Sequence, residues 1–221
     1  MDVICEKEHC TGCTACMASC PKKAVSMKED EKGFIYPYID QAACVDCGLC
    51  RKICPQNKIK QNINPNIRKI YAAFSKNSDI RKNSSSGGMF TELAQSIVQD
   101  GGVVFASRMD DGCHELYFDR CERFEDISKF RGSKYMQSNP RYIFSDVRNE
   151  LESRKKVLFV GTACQVAGLK SFLKKDYSTL ITVDIICHGV PSPKLWRDYL
   201  EQLEQSYGCS AKKVNFRHKR P

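Results

Sequence analysis

Residues 10–21 read CTGCTACMASCP and residues 44–55 read CVDCGLCRKICP, so one spacing, C-x2-C-x2-C-x3-C-P, occurs twice in close succession. Three thiolates spaced by two residues can wrap a [4Fe-4S] cube, and the fourth, ahead of a proline that turns the chain away, ligates the neighbouring cube where a chain holds two. On this reading Cys10, Cys13, Cys16 and Cys54 hold cluster one, and Cys44, Cys47, Cys50 and Cys20 hold cluster two. Zinc fits less well, because its sites take two C-x2-C pairs across a longer loop rather than three cysteines in one tight run. Disulfides fit least, since cysteines three apart here are poorly placed to pair and nothing marks the chain as secreted.

Between the runs, Val25 and Met27 precede a turn-like 28–33 and then Phe34, Ile35, Tyr36 and Tyr38, which predicts a hairpin. Two equivalent halves, each a cysteine loop with a short connecting segment, give a ferredoxin-type unit in which each half lends a cysteine to the other. Ile4, Val25, Ile35, Val45 and Ile53 are expected to pack around the cubes, where a dry shell and backbone N–H groups directed at sulfur set the reduction potential. Cys5 stands outside the spacing and reads as a buried structural cysteine.

The 221 residues leave room for a second, larger domain. The chain is 42% hydrophobic and 28% charged, a globular composition. No apolar run approaches the ~18 residues of a membrane span. Residues 1–9 carry acidic residues and a cysteine where a secretory signal would have a basic head and an apolar core. With fourteen cysteines in an iron-sulfur pattern, this implies a reducing, cytoplasmic setting. The formal charge is +9, and beyond residue 60 there are 26 Lys/Arg against 18 Asp/Glu. That surplus suits phosphate-bearing cofactors or acidic partner proteins. Nucleic acid is disfavoured, because the basic residues are scattered and no aromatic RNA motif or helix-turn-helix accompanies them. The tail Lys212, Lys213, Arg217, His218, Lys219 and Arg220 reads as a solvated face.

Residues 56–68 are polar and aperiodic, a linker. A strand is expected over 70–74. The run 83–88, NSSSGG, opens a helix with Met89, Phe90, Leu93, Ala94, Ile97 and Val98 at helical spacing; its serines suit capping and its glycines suit close approach to an anion. A strand over 103–107, a turn at 110–112 and a partner segment over 115–118 predict an antiparallel pair, with Cys113 and Cys121 structural. A short helix over 124–130 leads into a basic loop, 131–138, unlike core. Then follow a polar helix (146–154), a strand (157–160), a loop (161–165), a helix (166–174), a strand (180–186), a loop (187–193), an amphipathic helix (194–207) ended by Gly208, and the start of a strand (213–216). Such alternation predicts a largely parallel sheet, with ligands beyond the carboxyl ends of its strands at 161–165 and 187–193.

Four motifs, SSGG at 85–88, RGSKYMQS at 131–138, GTACQVAGL at 161–169 and DIICHGVPSP at 184–193, together resemble the family of coenzyme F420 hydrogenase/dehydrogenase beta subunits, many of whose members carry a two-cluster ferredoxin domain in front. The resemblance covers essentially the whole chain. It implies a flavoprotein that binds FAD and passes electrons between iron-sulfur centres and a two-electron carrier, a deazaflavin or another acceptor. By motif, Ser86, Gly87, Gly88, Lys134, Thr162 and Gln165 are the expected contributors to the flavin pocket, and Cys164 and Cys187 are candidates for a further cluster. His188 is a candidate proton donor, against the plainer reading of a hydrogen-bonded structural histidine. Ala163 stands where the family commonly has proline, and the family's catalytic region continues beyond residue 221.

The expected fold class is therefore α+β: a two-cluster ferredoxin domain over 1–60, a linker over 61–69, and an α/β flavin-binding-type unit over 70–142 and 143–221, incomplete at its end. The expected function is an iron-sulfur flavoprotein oxidoreductase whose partner is a redox protein or a small two-electron carrier. The alternative is a non-catalytic ferredoxin-like module that docks on a partner oxidoreductase. No G-x-G-x-x-G turn marks a nicotinamide site, so the acceptor stays open.

Overall fold

In the computed structural model, which describes residues 3–58 and 69–217, each cysteine run closes into a loop that ends in a short helix. The first run gives α1 (Ala15–Ser19), followed by the hairpin strands β1 (Val25–Glu29) and β2 (Ile35–Ile39), paired antiparallel with Val25 opposite Ile39; the second run gives α2 (Leu49–Ile53). The two loops repeat one backbone shape. Gly12 and Asp46, and likewise Thr14 and Gly48, occupy matching places and all four are left-handed, at φ 66°, 52°, 64° and 71°. Ile4, Val25, Ile35 and Ile53 are buried as expected, whereas Val45 lines the hollow of the second cysteine run but is 58% exposed. Pro55–Lys58 adds a turn of 3-10 helix; the rest of the expected linker lies outside the described residues.

The strand expected over 70–74 does not form. Ile70, Tyr71 and Phe74 are exposed, and the segment runs instead against Gly87, where an added β-carbon would lie 2.9 Å from the Ala73 carbonyl oxygen. A short helix, α3 (Ser78–Lys82), follows, capped by the Asn77 side chain, and then α4 (Met89–Gln99). The serines before α4 do not cap it. Gly88 is the N-cap, left-handed at φ 87° and without a side-chain bond.

Strands β3 (Val103–Met109) and β4 (Leu116–Cys121) make the antiparallel pair, and a 3-10 helix spans Phe124–Phe130. The helix α5 (Ile143–Glu152) starts three residues earlier than the expected polar helix, and it is not polar on both sides, since Ile143, Phe144, Val147 and Leu151 are buried. Strand β5 (Val157–Thr162) passes directly into α6 (Ala163–Leu173), so the loop expected over 161–165 has no length. Last come β6 (Leu180–Ile185) and α7 (Pro193–Tyr207), which Gly208 ends at φ 65°. Residues 213–216 form no strand.

The sheet order is β4-β3-β5-β6, with β3, β5 and β6 parallel. Period-2 alternation splits its side chains between two apolar clusters. Val103, Phe105, Val157 and Phe159 face α5 and α6, while Val104, Ala106, Leu158 and Val160 face α4 and the 3-10 helix. The first cluster does not stop at the sheet unit. It continues through Phe144, Leu169 and Phe172 into Ile4, Met17, Val25 and Ile53, so both parts of the chain share one core. At the edge, β6 leaves Ile181, Ile185 and the following Ile186 exposed.

Candidate functional site

The folded cysteine runs form two hollows. Cys10, Cys13, Cys16 and Cys54 line one together with Cys5, and Cys20, Cys44, Cys47 and Cys50 line the other. Each hollow thus draws three cysteines from one run and the last cysteine of the other. Backbone N–H groups lie beside these sulfurs in both loops and favour the thiolate: Gly12 at Cys10, Ala15 at Cys13, Met17 at Cys16 and Arg51 at Cys50. The side chains between are apolar, with Ala15, Met27 and Pro37 in the first hollow and Ala24, Val25 and Ile39 in the second. Thr14 lines the first hollow, and its buried hydroxyl has no hydrogen-bond partner among the described residues. Four thiols, directed N–H groups, an orphan hydroxyl and a dry wall fit a [4Fe-4S] cluster. Burial pushes the free thiols up, Cys13 to about 11 and Cys10 and Cys16 in the same direction, so cluster uptake must release their protons.

Cys5 is not the buried structural cysteine expected. It is partly exposed and lines the first hollow beside Cys10 and Cys54. No spacing rule could have found it, because it reaches Cys54 only through the fold.

The first hollow abuts the sheet unit. Helix α6 lies so close that a β-carbon on Gly168 would sit 3.0 Å from Cys13 Sγ and 3.1 Å from its Cβ. One turn back, Cys164 is near enough to act electrostatically on Cys13, and its Sγ is 3.1 Å from Thr162 Oγ1. Gly168→Val is therefore expected to cost about 1–3 kcal/mol by overpacking and to lower the iron bound at the first hollow. Iron analysis with a denaturation curve checks this, and an unchanged midpoint with full iron would refute it.

The four sequence motifs meet around the 131–138 loop. Ser133 N–H donates to Ser85 Oγ (2.6 Å), Arg131 Nε to Thr91 Oγ1 (3.0 Å), Gln165 Nε2 to Ser138 Oγ (2.7 Å), and Gln137 N–H to the Pro191 carbonyl (3.1 Å). Gln137 Oε1 also accepts from Ile35 N–H (3.1 Å), tying the loop to β2. Far from being a plain surface loop, it buries Met136 fully and Lys134 in part. Lys134 Nζ donates to the carbonyls of Phe130, Arg131 and Gly132 at 2.9, 3.1 and 3.1 Å, and burial pushes its ammonium down to about 8.

The expected flavin-pocket side chains are thus largely committed to one another. Thr162 and Gln165 form a capping box, with Gln165 Oε1 accepting from Thr162 N–H at 2.9 Å. Gly87 and Gly88 are small because Ala73, Phe74 and Ile80 press on them. The N-cap of α4, Gly88, makes no side-chain bond, and the residues after β6, Cys187 and His188, are exposed. Backbone N–H groups and the helix dipole at a helix start favour negative charge. The first-turn Glu92 carboxylate accepts a hydrogen bond from the Ser75 hydroxyl.

Residues 9–58 match the family described as 4Fe-4S dicluster domain, residues 70–142 the N-terminal part of the coenzyme F420 hydrogenase/dehydrogenase beta subunit, and residues 154–220 its C terminus. One F(420)H(2) dehydrogenase subunit, from Methanosarcina mazei, is 26% identical over 201 residues, 83% of this chain and 54% of the relative. A coenzyme F420-dependent sulfite reductase of Methanocaldococcus jannaschii is 25% identical over 198 residues, 86% of this chain and 29% of the relative. An uncharacterized ferredoxin of the same organism is 37% identical over 59 residues, 27% of this chain and 75% of the relative. The chain spans about half the length of curated relatives such as the Methanosarcina mazei protein.

Proposed function

The chain belongs to the family of coenzyme F420 hydrogenase/dehydrogenase beta subunits and carries a 4Fe-4S dicluster domain in front, and from that premise we propose that it relays electrons through two clusters to an FAD seated where the four motifs meet. As an iron-sulfur electron-transfer chain of an oxidoreductase family it has clusters to hold. We assign Cys10, Cys13, Cys16 and Cys54 to one and Cys44, Cys47, Cys50 and Cys20 to the other. The observation that carries the reading is the contact of Gly168 with Cys13, which brings one cysteine hollow against the helix that begins at Thr162.

When bound, the clusters supply one-electron transfer and the flavin the exchange between one- and two-electron chemistry. This chain's residues do the rest. Ile4, Met27 and Pro37 exclude water from the first hollow. The uncapped start of α4, with Ser86, Gly87 and Gly88, binds the pyrophosphate. Lys134 holds the 131–138 loop in shape through three carbonyls, and Thr162 with Gln165 fixes the β5–α6 corner. His188, exposed at the end of the segment after β6, is available to move a proton to or from a two-electron carrier. Cys164 and Cys187 are assigned no cluster. The partner is a redox protein or a small two-electron carrier such as a deazaflavin.

Anaerobic purification, iron and sulfide analysis and titration with FAD test this. The expected result is about eight irons per chain and a retained flavin that bleaches with reduced deazaflavin or nicotinamide. Eight irons without flavin retention would assign the chain instead as an electron-transfer module that docks on an oxidoreductase. About twelve irons would bring Cys164 and Cys187 back as ligands of a third cluster.

A further inference from the structure

We propose that the Thr14 hydroxyl donates a hydrogen bond to a sulfur of the cluster held in the first hollow and makes that cluster the more easily reduced of the two. The inference rests on the cluster assignment above and goes beyond it to the direction of electron flow.

Thr14 and Gly48 hold matching places in the two cysteine loops, Thr14 as the N-cap of α1 and Gly48 as the N-cap of α2, both left-handed at φ 64° and 71°. Glycine takes that conformation freely, whereas a β-branched residue rarely does and keeps it only where its surroundings impose it. A threonine at an N-cap ordinarily spends its oxygen on the amides of the first turn. Thr14 makes no such bond. It is 1% exposed, it lines the first hollow, and its hydroxyl has no partner among the described residues. Ser19, whose buried hydroxyl is likewise without a partner among the described residues, lines neither hollow.

A buried hydroxyl left without an acceptor costs free energy, so what fills the hollow is called on to supply one. Iron-bound cysteine sulfurs and cluster sulfides carry no proton and can only accept, which makes Thr14 the donor. A donor directed at sulfur stabilises the negative charge that arrives with an electron and raises the potential of that cluster. In the second hollow the matching residue, Gly48, has no side chain to do the same. Thr14 directly follows Cys13, the cysteine against Gly168 of α6. An electron that enters at the second cluster then runs downhill, the second cluster being reoxidised as the first, beside the sheet unit, is reduced.

The test is a redox titration of the full chain, purified anaerobically and followed by electron paramagnetic resonance, for the wild type, Thr14→Val and Thr14→Ser. Valine keeps the branched shape without the hydroxyl, and serine keeps the hydroxyl without the methyl. The wild type is expected to show two separated reduction steps with about eight irons per chain. In Thr14→Val the higher step moves down toward the lower, in Thr14→Ser it stays near its wild-type place, and the iron content is unchanged in both. The step that moves is the one that survives Cys20→Ser, which removes the second cluster. Equal steps in the wild type and Thr14→Val would overturn the proposal, as would an equal shift in Thr14→Val and Thr14→Ser, which would trace it to packing, or a moved step that disappears with Cys20→Ser. If Thr14→Val loses iron, Thr14→Gly, which carries the residue of the second loop, takes its place under the same criterion. A wild-type iron content well away from about eight would overturn the cluster assignment itself.

Discussion

Replacing Cys54 by serine is expected to halve the bound iron, from about eight to about four per chain, and the cluster lost is the one beside α6. In sequence Cys54 belongs to the run with Cys44, Cys47 and Cys50, but in space it lines the hollow of Cys10, Cys13 and Cys16. A pair of double variants reads out this crossing. Cys54→Ser combined with Cys10→Ser removes two ligands of one cluster and should cost no more iron than either alone, a full non-additivity of the kind that neighbours in one site show. Cys54→Ser combined with Cys44→Ser removes one ligand from each and should strip both. The opposite pattern, with all iron lost from the first pair and half kept by the second, would mean that each run keeps its own four thiols. On the proposed route the single variant also cuts delivery to the sheet unit, because the surviving cluster lies away from Gly168. Cys20→Ser gives the mirror result, sparing the hollow next to α6.

What could be read from the sequence was what repeats or alternates locally. The cysteine spacing and the hairpin between the runs are local patterns, as are α4, α6, α7 and the strands of the sheet, and each formed near its expected place. What could not be read depends on residues brought together from afar. Residues 70–74 have strand composition but no ladder partner among the described residues, so composition alone misled. The NSSSGG run has the composition of a capped helix start, yet the cap is Gly88 and Ser85 is turned to Ser133 instead. Lys134 was expected in the flavin pocket, and its ammonium bonds to the carbonyls of Phe130, Arg131 and Gly132. The approach of Gly168 to Cys13 and the place of Cys5 in the first hollow both join residues far apart in sequence. The motif segments do come together in the fold, while the bonds of single side chains within them are decided by tertiary contacts.

Phe159→Ala is expected to destabilise the chain by about 3–5 kcal/mol and, less obviously, to loosen the iron of the first hollow. Phe159 is fully buried on β5, stacked on Phe118 with ring centroids 5.1 Å apart and edge-on to Phe144 at 6.0 Å. Through Phe144 and Phe172 the same apolar cluster reaches Ile4, Cys16, Met17, Ile53 and Cys54, so a cavity at its centre is felt at the cysteine loops. The adjacent residue supplies the control. Leu158 is also fully buried, but alternation sends it to the opposite face, against the cluster under α4. Leu158→Ala should cost about 2–5 kcal/mol while sparing the iron under conditions where both variants remain folded. Chemical denaturation followed by near-ultraviolet circular dichroism gives the stability, and iron released to a chelator gives the cluster. If the two variants released iron equally, general loosening rather than the shared core would explain the loss. If neither released it before global unfolding, the cysteine loops would be energetically separate from the sheet despite their contact. Faster release from Phe159→Ala alone would identify the core on the α5 and α6 face as the mechanical link between the cysteine loops and the sheet unit.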